Sequence, residues 1–555
     1  MPVGTVMTWK VSVTGADPGP LWCRFRVHAV GQDYRMVKDF GPEMTLDWTA
    51  TDHDGLYQLE ATVRNTTTGE TVTNTAYYLM SSRIQDGKPA VAPTSHPLVF
   101  LYSAPPCPEG ARMKAQFTGP DKQVHNTPYQ DCVQGLSMNF YLAGMTSLTQ
   151  YSVNYLIDTG DAFLSGPSVP FTTSAALVSS VQTAPLGVGA QQTGILLQAT
   201  NAGPPMASDL HGNLVWYYPG APQIAQTGPF LLVTPAPGGY FWGIIGPRPA
   251  NRTVQLLRKY DLTGMTVLQT NAARISEQLA AMGKRPIGSF THEVRELPDG
   301  RIVALGSVEQ IVTDVQGPGP VDVLGEMVVV LDQDLQVVWA WDPFDHLDPA
   351  RASTTGDVCP AGGCPPLYLA AKANDWLHTN AVAQTPDGNL LVSLRHQDWV
   401  IKIDYQNGTG SGNILWRLGK DGDFTLDSTE MDAWFSHQHD AKFLPDNSTV
   451  ILFDNGDLRK LEDPKANSRG QVLHLNERTG TASLVLNADL GAYCFALGSA
   501  QKLSNGNFHF NMGVLPDATS LAVEVDATGK PVYELHVDTQ LYRSFRMGDI
   551  YTPPN

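Results

Sequence analysis

Short runs in which apolar and polar residues alternate dominate the chain. WKVSV (9–13), YQLEATV (57–63) and GEMVVVLD (325–332) are examples, and Gly, Pro, Asn or Asp bound each of them. A two-residue period closed by turn formers predicts antiparallel strands joined by tight hairpins. The 3.6-residue period of a helix is found in only two places, 272–282 (AARISEQLAAM) and 367–377 (LYLAAKANDWL). The predicted fold class is therefore all-β.

The first 85 or so residues hold about seven such runs, including LWCRFRVHAV and TVTNTAYYLM. That number of strands in that length fits one β-sandwich of immunoglobulin or fibronectin type III character. KPAVAPTSHP has the composition of a linker, and residues 97 to about 175 repeat the pattern. The expected organisation is a sandwich over 1–88, a second over 93–176, and a larger unit over 182–555.

The larger unit repeats. A strand ends in a turn carrying Asp or Asn, and a second strand follows, at Asp209, Asp261, Asp332, Asp404, Asn476 and Asp526, spaced 52, 71, 72, 72 and 50 residues apart. Most of these are preceded by another hairpin: PGGYFWGI, LPDGRIVALGS, TPDGNLLVSLR, LPDNSTVILFD and LSNGNFHFNMG. Two hairpins make four strands, and six four-stranded units describe a six-bladed β-propeller. The longer spacings place insertions at 271–290, 306–325 and 346–376, at loop ends where propellers build sites.

Composition narrows the function. The 555 residues carry 36 Lys+Arg against 54 Asp+Glu, a formal net charge of −18, with no basic block, which argues against a nucleic-acid partner. No apolar run is long enough for a helical membrane span. Six cysteines are present. Cys359 and Cys364 share one Pro/Gly-rich loop and no second close pair completes a zinc site, so a local disulfide is expected there. Cys107 and Cys132 are candidates for a second bridge, leaving Cys23 and Cys494 as free thiols. Paired cysteines favour the periplasm or the exterior. The start, MPVGTVMTWKVSV, lacks a basic segment followed by an apolar one, so either a leader has been removed or the protein stays inside.

Three histidine groups precede three of the hairpins: Thr291-His292-Glu293, Trp376-Leu377-His378-Thr379-Asn380, and Phe435-Ser436-His437-Gln438-His439-Asp440. Each group enters the first strand of its unit, the strand nearest a propeller axis, so three units aim imidazoles at one place. Strand alternation puts Asn380 on the face of His378 and puts His437 with His439, so spacing leaves open which of that pair faces a substrate. Arg395 ends a strand in SLRHQD and offers a forked, permanent charge suited to an oxyanion. A His₃ zinc site is the first rival. An arginine on the same axis would repel a dication and HExxH is absent, so no metal and no cofactor are expected. Three imidazoles, Arg and Asn suit a tetrahedral oxyanion, with one neutral imidazole as nucleophile.

The motifs THEV…LPDG, DWLHTNAV, SLRHQDWVIKID, ILWRLG and FSHQHDAKFLPD, taken in order and continuing to LYRSFR, resemble the bacterial arylsulfate sulfotransferases over about residues 185–545. The resemblance implies a six-bladed propeller with an N-terminal sandwich. It implies transfer of a sulfuryl group from a phenolic sulfate ester to another phenol, without nucleotide donors, by a ping-pong route through a sulfohistidine. Carried over by motif, His439 matches the nucleophile. His378 and Arg395 match the groups that hold the sulfuryl oxygens, Asn380 matches a further sulfate contact, and His292 matches the acid/base. This sequence departs from the family at Thr291-His292-Glu293, where many relatives have His-His-Asp. Ser499, within LGSAQKL, is the candidate for a small polar sulfate contact. Trp376 and Phe435, with Phe424, Trp434 and Tyr493, are candidates to stack on the phenol, against a plainer reading as core. The expected partners are phenolic sulfates and phenols. A homodimer through the N-terminal sandwiches is a further expectation, with dimerisation or surface attachment as the role of the second module. Two readings from other classes compete: a non-catalytic propeller that binds a partner or glycan, and a metal-dependent propeller hydrolase or lyase.

Overall fold

The alternating runs fold as antiparallel sheets throughout. The computed structural model describes residues 1–15, 17–178, 194–201, 203–219, 230–246, 250–360, 365–430 and 432–554, and it is nearly all β. The helix expected at 272–282 forms over Ala272–Ala281, where the Asn271 side chain accepts from the Arg274 N–H and caps the first turn. The helix expected at 367–377 does not form. Lys372–Asp375 is a strand pairing in parallel with Val323 and Leu324, while the N–H groups of Tyr368 and Leu369 donate to the Glu309 carboxylate. Those tertiary partners outweigh a weak helical pattern.

Among the described residues, six antiparallel runs of four strands follow one another from residue 195 onward, three as sheets of their own and three within sheets of eight, six and five strands. Sheet one joins Leu541–Met547 to Ile195–Thr200, Met206–Asp209 and Leu214–Tyr217, so the last strand of the chain pairs beside the first of the repeat. Sheets two to six begin at Phe230–Ala236, Phe290–Glu296, Thr379–Gln384, His439–Phe443 and Ser499–Lys502. These first strands touch their successors in order, and that of sheet six touches Leu541–Met547, which closes the series. Apolar side chains fill the space between neighbouring sheets. Val303, Leu305, Val328 and Val330 of sheet three, for example, pack with Val382, Val392, Ile401 and Ile403 of sheet four, all within one buried cluster. Each such side chain contributes roughly 1.5–3 kcal/mol by leaving water.

In the N-terminal region, Arg35–Gly41, Leu21–Ala29, Gly55–Asn65 and Thr71–Met80 form one sheet, and Met7–Lys10 pairs separately with Thr45–Trp48. The larger sheet runs on into sheet two through a single parallel pairing of Lys38 with Gln269. An ion pair between Arg274 and Asp39 (3.2 Å) fastens the same seam. The next region sets a three-stranded sheet, including Phe100–Ala104 and Met138–Leu142, against a six-stranded one around Arg112–Thr118 and Gln150–Asp158. It is tied to the repeat by Tyr551, whose hydroxyl accepts from the Ala143 N–H (2.9 Å) and donates to the Tyr141 carbonyl (2.9 Å).

Cys107 and Cys132 are bridged, 25 residues apart in sequence, and Cys23 and Cys494 are buried free thiols. Cys359 is buried, and its expected bridge partner, Cys364, lies outside the described residues. Closing the loop between Cys107 and Cys132, 25 residues apart, is worth about 3.5 kcal/mol. Replacing both Cys107 and Cys132 with alanine should lower the urea midpoint correspondingly, and an unchanged midpoint would show that the bridge adds nothing.

Candidate active site

The starts of the first strands of sheets three, four and five carry the expected histidines. Counting back from the hairpin prolines Pro298, Pro386 and Pro445, His292, Asn380 and His439 occupy one repeat position, while His378 and His437 stand two residues earlier. The strands are irregular there, with register shifts between Thr291 and Val294, Thr379 and Ala381, and His439 and Lys442. His292, His378 and His437 take left-handed backbone angles (φ 49°, 46° and 55°). Such strain in non-glycine residues persists only where the surroundings hold it.

The imidazoles form a chain. The ring centroids of His292 and His378 are 4.7 Å apart, those of His378 and His396 4.6 Å, and those of His396 and His437 5.5 Å. His378 Nδ1 lies 2.7 Å from the buried Asp375 Oδ2. Because a carboxylate only accepts, that nitrogen carries the proton and the other faces away. Burial first, and then the nearby Arg395, push His378 down to about 3. His292 is half-buried and likewise held well below its ordinary value by desolvation and by His378, and its Nδ1 meets no hydrogen-bond partner among the described residues.

His439 is the most closely defined. Its Nδ1 lies 2.7 Å from Asn455 Oδ1. The Asn455 amide is oriented by donating from Nδ2 to the carbonyls of Cys494 (2.7 Å) and Leu497 (3.1 Å). Its oxygen must therefore face the ring, which fixes the proton on Nδ1 and leaves the lone pair on Nε2. Burial, and then the charge of Arg395, hold His439 well below its ordinary value. It is neutral at neutral pH.

His437 is its opposite. Burial would lower it, but the carboxylates of Asp357 and Asp398 outweigh burial and raise it to about 9. Its Nδ1 lies 3.1 Å from Asp398 Oδ1 and its Nε2 3.0 Å from Thr355 Oγ1. A protonated imidazole has no lone pair to attack with.

Arg395 lies in a short turn, Arg395–Gln397, after its strand. Its Nη2 donates to Asp457 Oδ2 (3.2 Å) and to the Phe495 carbonyl (3.0 Å), its Nη1 contacts His396 Nε2, and its Nε is buried without an acceptor among the described residues. Asn380 donates to the Gln438 carbonyl (2.7 Å), while its Oδ1 has no partner among the described residues. The insertion at 346–376 supplies Thr355, Asp357 and Asp375 to this cluster.

Three expected contacts lie elsewhere. The Ser499 hydroxyl donates to the Ser544 carbonyl (3.0 Å) and accepts from the Ser544 N–H (3.2 Å), so it staples sheet six to Leu541–Met547. Trp376 is 1% exposed and its indole N–H donates to the Arg351 carbonyl, and Phe435 is 1% exposed within the core between sheets four and five. Neither ring has a free face for a phenol. Two groups, Asp357/His396/His437 and Asp375/His378/His396, bring three ligand-type atoms within 4.8 Å of one another. Both depend on His396, whose Nδ1 is 2.7 Å from the Asp375 carbonyl and whose Nε2 meets Arg395, so no lone pair there is free for a metal.

Comparison with known proteins decides the family. The arylsulfotransferase (ASST) family matches residues 168–546, more than half of the chain. The chain belongs to the arylsulfotransferase family. It is a sulfotransferase enzyme, and the family supports activity on aryl sulfates. No curated protein matches it. Among solved structures, the tricorn protease is 11% identical with a TM-score of 0.25, over 87% of this chain and 49% of the tricorn chain. This chain thus spans about half of that protein's length. A tetra-tandem repeat from the extending region of a large adhesion protein is 11% identical with a TM-score of 0.14, over 87% and 95% of the two chains. Overlaps so poor carry no argument about this arylsulfotransferase.

Sequence reasoning missed Asn455 and Asp457 in the arylsulfotransferase, since each is an ordinary polar residue outside a histidine motif, and it gave no role to Asp375, the first residue of DWLHTNAV. Asn455→Leu should lower kcat by about 10- to 100-fold with little change in KM, because the tautomer of His439 is no longer fixed. Steady-state kinetics check this, and wild-type kcat in a folded variant would refute it.

The histidine shifts also set a pH profile. His378 and His396, both lowered to about 3 from an ordinary 6.5, are protonated first in the unfolded chain, so stability is lost as pH falls from about 6.5 towards 3. His437, raised to about 9, stabilises fully below about 6.5 and ceases to as pH rises through 9. Urea midpoints should therefore peak between about pH 6 and about pH 7, and a peak outside that window would count against these assignments.

Proposed function

We propose that this enzyme moves a sulfuryl group from a phenolic sulfate ester to a phenolic acceptor through a sulfohistidine on His439. We also read the six sheets as the blades of a propeller over 182–555, preceded by sandwiches over 1–88 and 93–176. Support for the propeller comes from the repeat and from the ordered contacts of the first strands. The observation that carries the function is the neutral, tautomer-fixed His439 beside a buried arginine.

The Nε2 lone pair of His439 attacks sulfur, an S–N bond forms, and the ester S–O bond breaks. Arg395 and His378 take the charge of the sulfuryl oxygens. As the anion binds, the outer nitrogen of His378 takes up a proton from water, and Asp375 stabilises the imidazolium that results. Asn380 offers a further polar contact. As the anionic donor binds, His292 takes up a proton from water; the departing phenolate takes that proton, and the acceptor phenol later returns one to His292 while its oxygen displaces His439 from sulfur. His292, with Nδ1 unpinned, is the ring free to exchange a proton in both half-reactions. The Cys107–Cys132 bridge suits a periplasmic or secreted setting.

The test is 4-nitrophenyl sulfate with and without phenol, in excess chelator. Acceptor-dependent nitrophenol release supports transfer. Release into water alone indicates a sulfatase, loss of activity caused by the chelator revives the metal reading, and no release with varied phenols overturns the proposal.

A further inference from the structure

The first strands that begin at the reacting histidines end at a second chamber. A cavity of about 1650 Å³ opens among the hairpin turns at their far ends, lined by residues including Arg295, Asp387, Lys442, Asp446, Arg546 and Asp549. Arg295 and Lys442 stand three residues beyond His292 and His439 on the same strands. At about 3.3 Å per residue, that is roughly 10 Å along the strand direction.

The charges at the floor of this cavity are unequal. Arg543 Nη1 donates to Glu293 Oε2 (2.9 Å), Arg295 Nη2 to the same oxygen (3.2 Å), and Lys442 Nζ to Asp440 Oδ2 (3.0 Å). Arg295 also lies 3.8 Å from Asp440 Oδ1. Three cations thus share two carboxylates that are themselves buried. The Nε of Arg295 is buried and has no acceptor among the described residues. Lys442 has three N–H donors, only one of which has an acceptor named above. Arg295 and Lys442 keep 27% and 17% of their side chains exposed, enough to meet a ligand in the cavity.

The three carboxylates of the walls keep their charge, but two further cations, Lys502 and Arg546, line the same walls, and each carboxylate accepts from another donor. Asp387 pairs with Lys402 Nζ (2.7 Å). Asp446 accepts from the N–H groups of Ser448 and Thr449 (2.9 and 2.8 Å), and Asp549 from those of Tyr551 and Thr552 (2.9 and 2.8 Å). A surplus buried cation is costly unless an anion joins it. Burial, with Arg295 and Arg543 nearby, already lowers the pKa of Lys442 despite Asp440.

We propose that this chamber is a second anion site, in which Arg295 and Lys442 bind a tetrahedral sulfate-type oxyanion away from the reacting histidines. Free sulfate and the head of a sulfate ester share that chemistry. The site does not depend on which histidine carries the sulfuryl group.

Full-length crystals soaked in selenate should show an anomalous peak beside Arg295 and Lys442. In solution, calorimetry on the His439→Ala chain, which cannot turn over, is done with inorganic sulfate and separately with 4-nitrophenyl sulfate, to distinguish the free ion from the ester. Arg295→Gln and Lys442→Met, each added to that chain, should weaken one of two binding events at least about tenfold and leave the other intact. Arg295→Gln keeps the proposal testable if Lys442→Met fails to fold. The absence of the selenate peak overturns the proposal. So does a peak whose two substitutions leave sulfate and ester affinity unchanged, which would mark an adventitious ion only.

Discussion

His439→Ala should reduce sulfuryl transfer by about four orders of magnitude or more, since removing a covalent nucleophile leaves only binding and charge stabilisation. The expectation rests on the proton inventory of the site. His439 combines a buried neutral ring with a named donor direction, because Asn455 is turned by two carbonyls so that its oxygen meets Nδ1. Nε2 is then a lone pair without any deprotonation step. Its low pKa also keeps it a base across the working range, so donor-step kcat/KM should show no loss from imidazole protonation down to pH 6.5. His437→Ala should act differently. It removes a cation from between Asp357 and Asp398 and should lower stability, with a smaller effect on the donor step in the protein that remains folded. Donor-only enzyme, digested and analysed by mass spectrometry, should carry an acid-labile sulfuryl group on the peptide containing His439. A variant lacking His439 that turns over normally, or a label on the peptide of another histidine in that variant, would overturn the assignment.

The parts of this site that could be read from the chain were those that repetition marks. Three histidine groups before three similar hairpins could be matched by counting, and Arg395 by its motif. The groups that decide chemistry were not legible in this way. Asn455 reaches His439 from 16 residues further on, and Asp375 lies on a strand whose parallel partner is 51 residues away. Such pairings are set by how insertions fold back, and no local period encodes them. The same reason explains the helix expected at 367–377, whose pattern was overridden by contacts with Glu309 and Leu324. Ser499 failed because the loop before sheet six places Gly498, not a serine, at the repeat position of His292 and His439, which turns Ser499 toward Ser544. Trp376 and Phe435 show the limit of proximity in sequence. Both lie in the segments that lead into their strands, where a neighbour of a site motif is as readily core as wall.

Arg395→Met should lower donor-step kcat/KM by about 10²–10³, the cost of losing one preorganised stabiliser of a developing oxyanion. Three contacts hold this guanidinium before any substrate arrives: Asp457, the Phe495 carbonyl and His396. Fixing the group in advance removes reorganisation from the reaction step, and burial strengthens its field by excluding water. The same field depresses His378, His396 and His439, so one charge both keeps the nucleophile neutral and attracts the anion it attacks. Arg395→Met should therefore raise the pKa of those rings while it slows transfer, and histidine titration by NMR would show the upward shift. Lysine should rescue little. It restores a charge but not the fork that grips Asp457 and Phe495 while presenting other N–H groups to a sulfuryl oxygen. Recovery to wild-type rates in Arg395→Lys would mean that charge alone matters and that the fixed geometry does not. Unshifted histidines in a folded Arg395→Met would instead separate the arginine from the neutral state of His439, leaving burial as its cause.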